Sequence, residues 1–509
     1  MNRDYDKMYE GLDQVILDKH AADTIAEDCK AFACQLENHL AHVIMLSEQG
    51  IIPANDAEKI LKALLRLPDI GPENIGRRPG LTDLYSNIEA WLIDELGIET
   101  GGKVHTGRSR NDMNSTIERM YTRRTVLDLC EAMLFLLKTL LIEAEKHKDT
   151  VIPAYTHHSQ QAQPVTLGHF YTSAFQALFR DLERLMDSYK RINKSTMGGA
   201  AIATTSFPVN RQRVAELLGF DGFLVNSMDA TASLDFAYEP ACALAIYINN
   251  IGRVVESLLL WNLNEVGISR LALKYCSYST IMPQKRNPVA LETLRYSGEW
   301  TYGALSTMLN TMKAYPQGNG REPGFVVSLY YEIAEKIQES TYLLAGIIRT
   351  LEVDKQRALA VTKCGFCTVT DLADEMVKSC GQSFSAAKKI TGRLVSIAHE
   401  EGISVDEIDS RLVDRAAKEA LGIELHMPEE SIRHALDPEE NVQRRTVEGG
   451  PSPQRVQEMI DAGWKAVEEA WQNWQEKKQQ DKDASKHLHS LAQAMAASVE
   501  AQAAVEERP

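Results

Sequence analysis

Cysteine, surplus basic charge and long apolar runs are all scarce in this sequence. Its 509 residues contain eight cysteines, far below the density of a disulfide framework. The one close pair, Cys364 and Cys367, has no second CxxC or histidine pair nearby, so we interpret both as buried structural cysteines rather than zinc ligands. There is no run of 18 apolar residues and no apolar signal-peptide core near Met1. These absences predict a soluble, cytoplasmic protein.

The net charge of the chain limits the classes of partner that we expect. Lys and Arg number 55 against 71 for Asp and Glu, which gives a formal net charge of −16. Such a surface repels nucleic acid and anionic membranes, so we expect neither as a partner. A small anionic substrate is still compatible with it, because a few cationic groups in one cleft determine the local field.

Alternating strand patterns are also scarce, and long helical periodicities dominate. Apolar residues recur at helix spacing over residues 117–148, 168–192 and 240–266, each about twice the mean helix length. The third pattern is apolar on more than one face, as expected for a helix at the centre of a bundle. The sequence therefore predicts an all-α protein with a central bundle of long helices.

Glycine, proline and composition divide the chain. We predict an N-terminal helical domain over residues 1–110, the central long-helix bundle over 111–362 and a C-terminal helical domain over 363–470. Residues 471–509 form a polar, Ala/Gln-rich tail, expected to be a marginal surface helix or disordered.

Three polar segments interrupt the helical pattern. Island 1 is HTGRSRND (His105–Asp112), island 2 is YTHHSQQAQP (Tyr155–Pro164) and island 3 is STIMPQKRNP (Ser279–Pro288). Each lies at the boundary of a long helical pattern, where unsatisfied N–H groups favour anions. Together they supply cationic, amide and hydroxyl donors and two histidines, a set that suits proton transfer on a small dianion. Taken singly, each of these residues is more often a solvated charge, a cap or a loop hydroxyl.

The three islands in combination resemble the signatures of the argininosuccinate lyase branch of the aspartase/fumarase superfamily. HTGRSRND is close to that branch's pattern, and MPQKRNP is similar to the superfamily's MPxKxNP signature. AQPVTLGH, NSMDATASLDF and TDLADEMV are similar too. The resemblance covers roughly residues 35–460, with the motifs in the family's order.

The resemblance implies a three-domain subunit, with four subunits pooling their bundles into one core. Each active site would combine islands from three subunits. The reaction implied is reversible β-elimination of an N-succinyl amine, which yields fumarate and a free amine without a cofactor or a metal. Loss of the proton beside a carboxylate creates an aci-carboxylate with nearly two negative charges, and stabilising that dianion is the main electrostatic task.

The resemblance also implies the site residues. Ser279 is the base, in a dry electropositive site closed by its own loop. A histidine, His157 or His158, protonates the leaving amine or holds a water, and Glu292 orients that histidine. The substrate-binding residues implied are Ser109, Arg110, Asn111, Thr156, Thr280, Met282, Lys285, Asn287 and Tyr315.

Two departures from the family pattern lie beside these residues. Island 2 has one extra residue: alignment from its left end makes His157 the family histidine, which we favour slightly, and alignment from its right end makes it His158. In island 3 the residue before Ser279 is Tyr278, where the family has glycine. Tyr278 either stiffens the closing loop or faces the bound amine.

The amine-recognition side departs further. Asn38 and His39 stand where the family has Gly-Ser, Tyr85 stands for a histidine, and Gly320 and Pro323 stand for the Gln and Lys that grip arginine. We therefore expect a rebuilt amine pocket and an N-succinyl amine substrate that is argininosuccinate-like or ethylenediamine-disuccinate-like. The alternatives are argininosuccinate lyase proper and, from another class, an inactive crystallin-like structural relative.

Overall fold

The fold is built almost entirely from helices. The structure, a computed structural model, describes residues 14–506 except 76, 77, 79, 314, 319 and 321. The first two helices have 17 residues each and are separated at Ala31, and the next four are shorter, with glycine and proline between them. They are α1 (Gln14–Lys30), α2 (Phe32–Glu48), α3 (Ala54–Leu64), α4 (Leu67–Ile70), α5 (Leu84–Leu96) and α6 (Ile98–Gly101).

Five long helices form the central bundle, with two short ones between them. The seven are α7 (Arg110–Lys146), α8 (Leu167–Ile192), α9 (Arg211–Leu217), α10 (Ser227–Ala232), α11 (Asp235–Trp261), α12 (Val289–Met312) and α13 (Glu322–Arg349). Helix α7 packs against α8 and α13, while α11 packs against α8, α12 and α13. Leu137, Leu140 and Leu141 of α7 are buried in the largest hydrophobic core, as the helical spacing of these leucines predicts.

The remaining helices complete the chain. They are α14 (Lys355–Cys364), α15 (Val369–Cys380), α16 (Phe384–Glu401), α17 (Ser410–Leu421), α18 (Glu429–Leu436), α19 (Pro438–Arg444) and α20 (Pro453–Glu506). Short 3₁₀ turns occur at Pro72–Asn74, Gly102–His105, Leu273–Tyr275 and Val405–Glu407.

Within the residues that the structure describes, six short strands pair into three antiparallel ladders. They are β1 (Val151–Thr156), β2 (Gln160–Thr166), β3 (Ser269–Arg270), β4 (Ser277–Tyr278), β5 (Arg286–Asn287) and β6 (Glu352–Val353). The pairs are β1–β2, β3–β6 and β4–β5. The predicted all-α class with a central long-helix bundle is confirmed, but the sequence did not predict that islands 2 and 3 are built on ladders.

The described residues bury three separate hydrophobic cores. One belongs to the long-helix bundle, one to the N-terminal helices and one to helices α15–α18. The N-terminal core also takes in Leu488 and Ala492 of α20 and residues of α9. The domain boundaries themselves stay a prediction.

Helix α20 differs from what the composition of its second half suggests. Trp474 donates from Nε1 to the carbonyl oxygen of Leu127 at 2.8 Å. Asp481 accepts from Arg123 at 2.6 Å and from Arg124 at 2.8 Å. Of the two alternatives given for the tail, disorder does not fit this stretch, which is helical and held by tertiary contacts, whereas a surface helix does, because most of its side chains after Trp474 are exposed or half-buried.

Two further predictions concern the cysteine pair and helix α11. Cys367 is buried, but Cys364 is exposed, so the interpretation of both as buried is wrong for Cys364. Helix α11 is long and apolar enough to span a membrane by length and composition alone. Its Leu244, Ile251 and Leu258 are buried in the bundle core, as in the central helix of a bundle.

Candidate active site

Island 1 forms the N-terminal cap of α7. Ser109 is the N-cap, and it shares a reciprocal capping box with Asp112, whose Oδ1 accepts from the Ser109 N–H at 2.9 Å. The other oxygen of Asp112 accepts from the N–H groups of Gly198 and Ala200, both at 2.9 Å. This buried carboxylate therefore ties the start of α7 to the loop that follows α8.

The two polar residues after Ser109 extend from this cap. The Arg110 guanidinium is mostly exposed and pairs with Asp83 at 2.6 Å. The side-chain amide of Asn111 donates to the Ala201 carbonyl at 2.9 Å. Both lie at the positive end of a long helix dipole, a favourable place for a carboxylate.

Island 2 is the tip of the β1–β2 hairpin. Thr156 pairs with Gln160, which leaves a three-residue turn of His157, His158 and Ser159. All three have positive φ, at 44°, 54° and 73°, a conformation that non-glycine residues adopt at an energetic cost. Both histidines and Thr156 are exposed, so the structure leaves open which of them is the family histidine.

Island 3 is a loop closed by the β4–β5 ladder. Ser277 pairs with Asn287, and Tyr278 pairs with Arg286. Because successive strand residues point to opposite faces, Tyr278 lies on the face opposite to Ser277 and Asn287. The Asn287 amide donates to Ser277 Oγ at 3.4 Å. With its side chain on the outer face and 88% exposed, Tyr278 is placed away from the Asn287 side of the loop.

Ser279 begins the turn of this loop. Its Oγ accepts from the backbone N–H of Met282 at 3.0 Å and from that of Ile281 at 3.4 Å. Two backbone donors aimed at one oxygen stabilise negative charge there, as in an oxyanion hole. The local geometry therefore suits a serine oxygen that carries negative charge.

Islands 2 and 3 line one cleft of about 1630 Å³. It also contains the C-terminal end of α11 and the guanidinium-bearing residues Arg253 and Arg270. The predicted site residues along its walls are Thr156, His157, His158, Met282, Lys285 and Asn287. One chain therefore brings the histidines to the same cleft as the lysine and asparagine of island 3, whereas the resemblance implies that these islands come from different subunits.

Other predicted residues lie outside this cleft. Glu292 is exposed in the first turn of α12, and among the described residues it makes no hydrogen bond or ion pair with either histidine. Ser279 and Thr280 lie in island 3 but not on the cleft wall. Tyr315 lies between α12 and α13 with its hydroxyl directly against the backbone of Gly320, where a Cβ would collide with it.

Island 1 lies at the opposite end of α7 from the β1–β2 hairpin. It starts α7, a helix of 37 residues, and at 1.5 Å per residue this separates it from the base of the hairpin by roughly 55 Å. Ser109, Arg110 and Asn111 of one chain are thus remote from that chain's islands 2 and 3.

A cluster of buried polar side chains beneath island 1 contains three of the departures that the sequence assigns to the amine-recognition side. Asn38 and His39 are fully buried and Tyr85 is 3% exposed, so none of them can contact a bound amine without rearrangement. Instead Arg108 Nη2 donates to His39 Nδ1 at 2.9 Å. The signal in the sequence is a run of polar residues, Asn38, His39 and His42, on the apolar helix α2.

The histidines of this cluster are neutral. Burial, reinforced by the neighbouring Arg108 guanidinium, holds the pKa of His39 and of His42 well below the ordinary value. Burial likewise lowers the pKa of His105. In the described part of the chain, this cluster included, no group of three or more His, Cys, Asp or Glu side chains is arranged to hold a metal ion.

Comparison with known proteins shows the family to which this chain belongs. A model of the family described as "Lyase" matches residues 13–299, and one described as "Argininosuccinate lyase C-terminal" matches residues 366–443. The argininosuccinate lyase of Methanocaldococcus jannaschii is 39% identical over 86% of this chain and 89% of its own. The chain belongs to the argininosuccinate lyase family. The resemblance predicted from the three islands is confirmed, and with it the enzyme class, a carbon–nitrogen lyase.

A second argininosuccinate lyase and a solved structure are also similar to this chain. The argininosuccinate lyase of Methanothermobacter thermautotrophicus is 36% identical over 85% of this chain and 92% of its own. Among solved structures, EDDS lyase in complex with formate superposes with a TM-score of 0.84 at 32% identity, covering 92% of both chains. This chain is thus similar both to proteins named argininosuccinate lyase and to one named EDDS lyase.

Proposed function

We propose that this protein catalyses the reversible β-elimination of an N-succinyl amine to fumarate and a free amine. The observation that carries the proposal is that this member of the family has a cleft lined by both the histidine hairpin and the Lys285–Asn287 segment. Small dicarboxylates and N-succinyl amines are the substrate class, and no cofactor takes part.

In this mechanism Ser279 removes the proton from the carbon next to a carboxylate. The electron pair of that C–H bond forms the double bond of fumarate while the C–N bond breaks. Lys285 and Asn287, with the Thr280 hydroxyl and the N–H groups of the loop around Met282, stabilise the carboxylate that gains charge. The support for Ser279 as the base is its pair of backbone donors, which favours the anionic oxygen.

The leaving amine takes its proton from a histidine of the hairpin turn, with His157 favoured over His158. Thr156 adds a hydroxyl to the same wall, and Tyr315 contacts the substrate from the α12–α13 connection. Glu292 orients the histidine, which requires a second subunit because the two do not meet within one chain.

Ser109, Arg110 and Asn111 orient the succinyl part from another subunit. The roughly 55 Å length of α7 supports this arrangement, since one chain cannot bring island 1 to its own cleft. Large apolar residues exposed on the long helices support a homotetramer with pooled bundles, because these faces need a partner. They are Ile246, Tyr296, Tyr302 and Leu309.

Mixing inactive variants tests the shared site. Arg110→Gln damages island 1 and Ser279→Ala damages island 3, and each variant alone should be inactive. Subunits exchanged between the two should regain activity, with up to about a quarter of sites intact if islands 1 and 3 come from different chains of a symmetric tetramer. No recovery in mixed tetramers, or a monomer by sedimentation, would contradict the shared site.

The amine is proposed to be of the ethylenediamine-disuccinate type. The similarity to EDDS lyase and the Gly320 and Pro323 departures support it. Argininosuccinate lyase proper is the second candidate, supported by the curated relatives of that name. The cytoplasm is the proposed compartment, supported by eight free cysteines.

One assay separates these candidates. Fumarate is followed by its ultraviolet absorbance while the protein is offered argininosuccinate, aspartate, malate and a panel of N-succinyl diamines. Turnover of N-succinyl diamines above argininosuccinate is the expected result. Turnover of argininosuccinate alone would reject the rebuilt amine pocket, and no turnover at all would favour the inactive structural relative.

A further inference from the structure

The segment His105–Arg108, which leads into Ser109, is held by three side chains that the reaction does not use. The Tyr85 hydroxyl is hydrogen-bonded to His105 Nδ1. His42 donates from Nε2 to the carbonyl oxygen of Thr106 at 2.9 Å. Arg108 donates to His39 Nδ1. We call His39, His42 and Tyr85 the clamp; two of its members come from α2 and one from α5.

The clamp is one packed unit. The rings of His39 and Tyr85 stack, with centroids 5.7 Å apart and an angle of 24° between their planes. The Arg108 guanidinium lies over the Tyr85 ring at 5.5 Å, a cation–π geometry that is strengthened by burial. A shift of His39 or Tyr85 therefore shifts Arg108.

Arg108 is connected to the substrate-binding residues by the backbone alone. Gly107 makes the turn before it with φ +71°, and a Cβ there would come within 3.2 Å of Val209, so only glycine fits without strain. Ser109 follows Arg108 directly and starts α7. The clamp thus sets the position from which Arg110 and Asn111 extend.

Stability alone does not account for these residues. Arg108 is 6% exposed and has no carboxylate partner within ion-pair distance in the described part of the chain. Its Nε and Nη1, and both amide atoms of the adjacent Asn38, are without hydrogen-bond partners there. A buried, incompletely paired cation costs folding free energy, and well-packed apolar residues at such positions are usually at least as stable.

We propose that His39 and Tyr85 are positioning residues for substrate binding, acting through Arg108 and His105 on Ser109, Arg110 and Asn111. This inference rests on the proposed function and deepens it. His39 and Tyr85 are buried departures from the family pattern. In this proposal they set the position of the carboxylate-binding residues and do not contact the amine.

The test compares variants that keep or remove single contacts. His39→Gln keeps an oxygen that can accept from Arg108, whereas His39→Leu removes the acceptor at similar size. Tyr85→Phe removes only the hydroxyl. Tyr247→Phe is the matched control, because Tyr247 is equally buried and loses a hydroxyl bonded to Thr341 at 3.0 Å in the bundle core.

The readouts are KM and kcat for the preferred N-succinyl amine, thermal stability and amide hydrogen exchange of residues 103–109. We expect His39→Leu and Tyr85→Phe to raise KM about tenfold with kcat nearly unchanged, as when uniform binding is lost. Exchange at the N–H groups of Thr106 and Arg108, which bond to Lys103 and His105, should accelerate. His39→Gln should restore most of the binding, and Tyr247→Phe should lose stability without a change in KM.

Unchanged KM and unchanged exchange in Tyr85→Phe would overturn the inference, as would an equal rise of KM in Tyr247→Phe. If His39→Leu does not fold, Tyr85→Phe and His39→Gln still decide the outcome. Wild-type protein that turns over no N-succinyl amine would instead reject the proposed function. In that case hydrogen exchange and calorimetric binding of succinate still report on the clamp.

Discussion

At Ser279 the side-chain oxygen accepts hydrogen bonds from two backbone N–H groups of its own loop. Acceptance from the second and third N–H groups that follow is a common turn geometry of serine, but here the turn belongs to a loop that also carries cleft residues. The same loop carries Lys285 and Asn287, which line the cleft. The chemistry proposed for this residue is therefore built into a segment of ten residues, and one substitution tests it.

Replacing Ser279 with alanine should abolish turnover. The base is lost while the loop backbone and the ladder that closes it are kept, so we expect kcat to fall by roughly 10³-fold, within the range for a missing proton-transfer group. Steady-state fumarate release measures the effect. Ser396→Ala, an exposed serine on α16 bonded to its own helix, is the control and should be fully active. Residual activity of Ser279→Ala above a tenth of wild type would assign the base to another residue.

The two histidines of the hairpin turn call for a paired substitution. His157→Asn should reduce kcat by about 10²-fold or more through the loss of a proton donor, and His158→Asn should retain most of the activity. Turnover measured across pH distinguishes loss of a proton donor from loss of folding. If His158→Asn eliminates turnover and His157→Asn does not, the alignment from the right end of island 2 is the correct one.

At the scale of single elements, the sequence predicted the long helices well and the short ladders not at all. Helices α7, α8 and α11 follow from apolar residues at helix spacing, which is a strong local signal. The β1–β2 hairpin has a turn of three non-glycine residues at positive φ, and no local rule predicts that. Its geometry is imposed by tertiary contacts such as that of Gln161 with the Val361 and Thr362 carbonyls.

The same limit applies to the candidate site. Family motifs located the three islands, but they place Asn38, His39 and Tyr85 on the amine-recognition side without showing their burial, because a sequence does not show which face of a helix is covered. Their burial depends on Arg108, 69 residues after His39 along the chain. Long-range contacts of this kind are invisible to periodicity.

His147 at the end of α7 should make the base of the hairpin sensitive to acid. Burial, with neighbouring Lys146 and Lys355, lowers the pKa of His147 from 6.5 to about 4. Between these values the unfolded chain binds a proton that the folded chain does not, so stability is full above pH 6.5 and falls toward pH 4. The loss is at most about 1.4 kcal/mol per pH unit.

Denaturant unfolding at several pH values measures this effect. His147→Gln removes the titrating group and should show a shallower loss of stability below pH 6.5 than wild type. Glu143, 3.8 Å from His147 Nε2, is present in both proteins, so its own titration cancels in the comparison. Parallel pH profiles for the two proteins would contradict the assignment.

At the scale of the whole molecule, α20 joins two of the three cores. Its Trp474 packs in the bundle core, and its Leu488 and Ala492 complete the N-terminal core. Between them Asp481 bridges Arg123 and Arg124 of α7, and Arg124 also pairs with Glu37 of α2 at 2.7 Å. This buried network fixes the N-terminal helices, and with them the clamp, to the bundle.

Asp481→Asn should destabilise the folded protein by about 3 kcal/mol, because removal of one partner leaves buried charge uncompensated. The free energy of unfolding by denaturant is the measurement. Asp483→Asn, two residues further along α20 and exposed, is the control and should change it by less than about 0.5 kcal/mol. An equal effect of the two substitutions would show that the network contributes no more than a surface charge.

Helix α7 fixes the distance between the two ends of the bundle, and this has a consequence for how the gene can vary. An insertion of one helical turn would lengthen the helix by about 5.4 Å and keep its apolar face in register. In the proposed tetramer it would nevertheless move island 1 away from the cleft of the neighbouring subunit, in all subunits at once. Lineages of this enzyme should therefore tolerate length changes in surface loops, whereas the residue count between Ser109 and the hairpin should be nearly invariant.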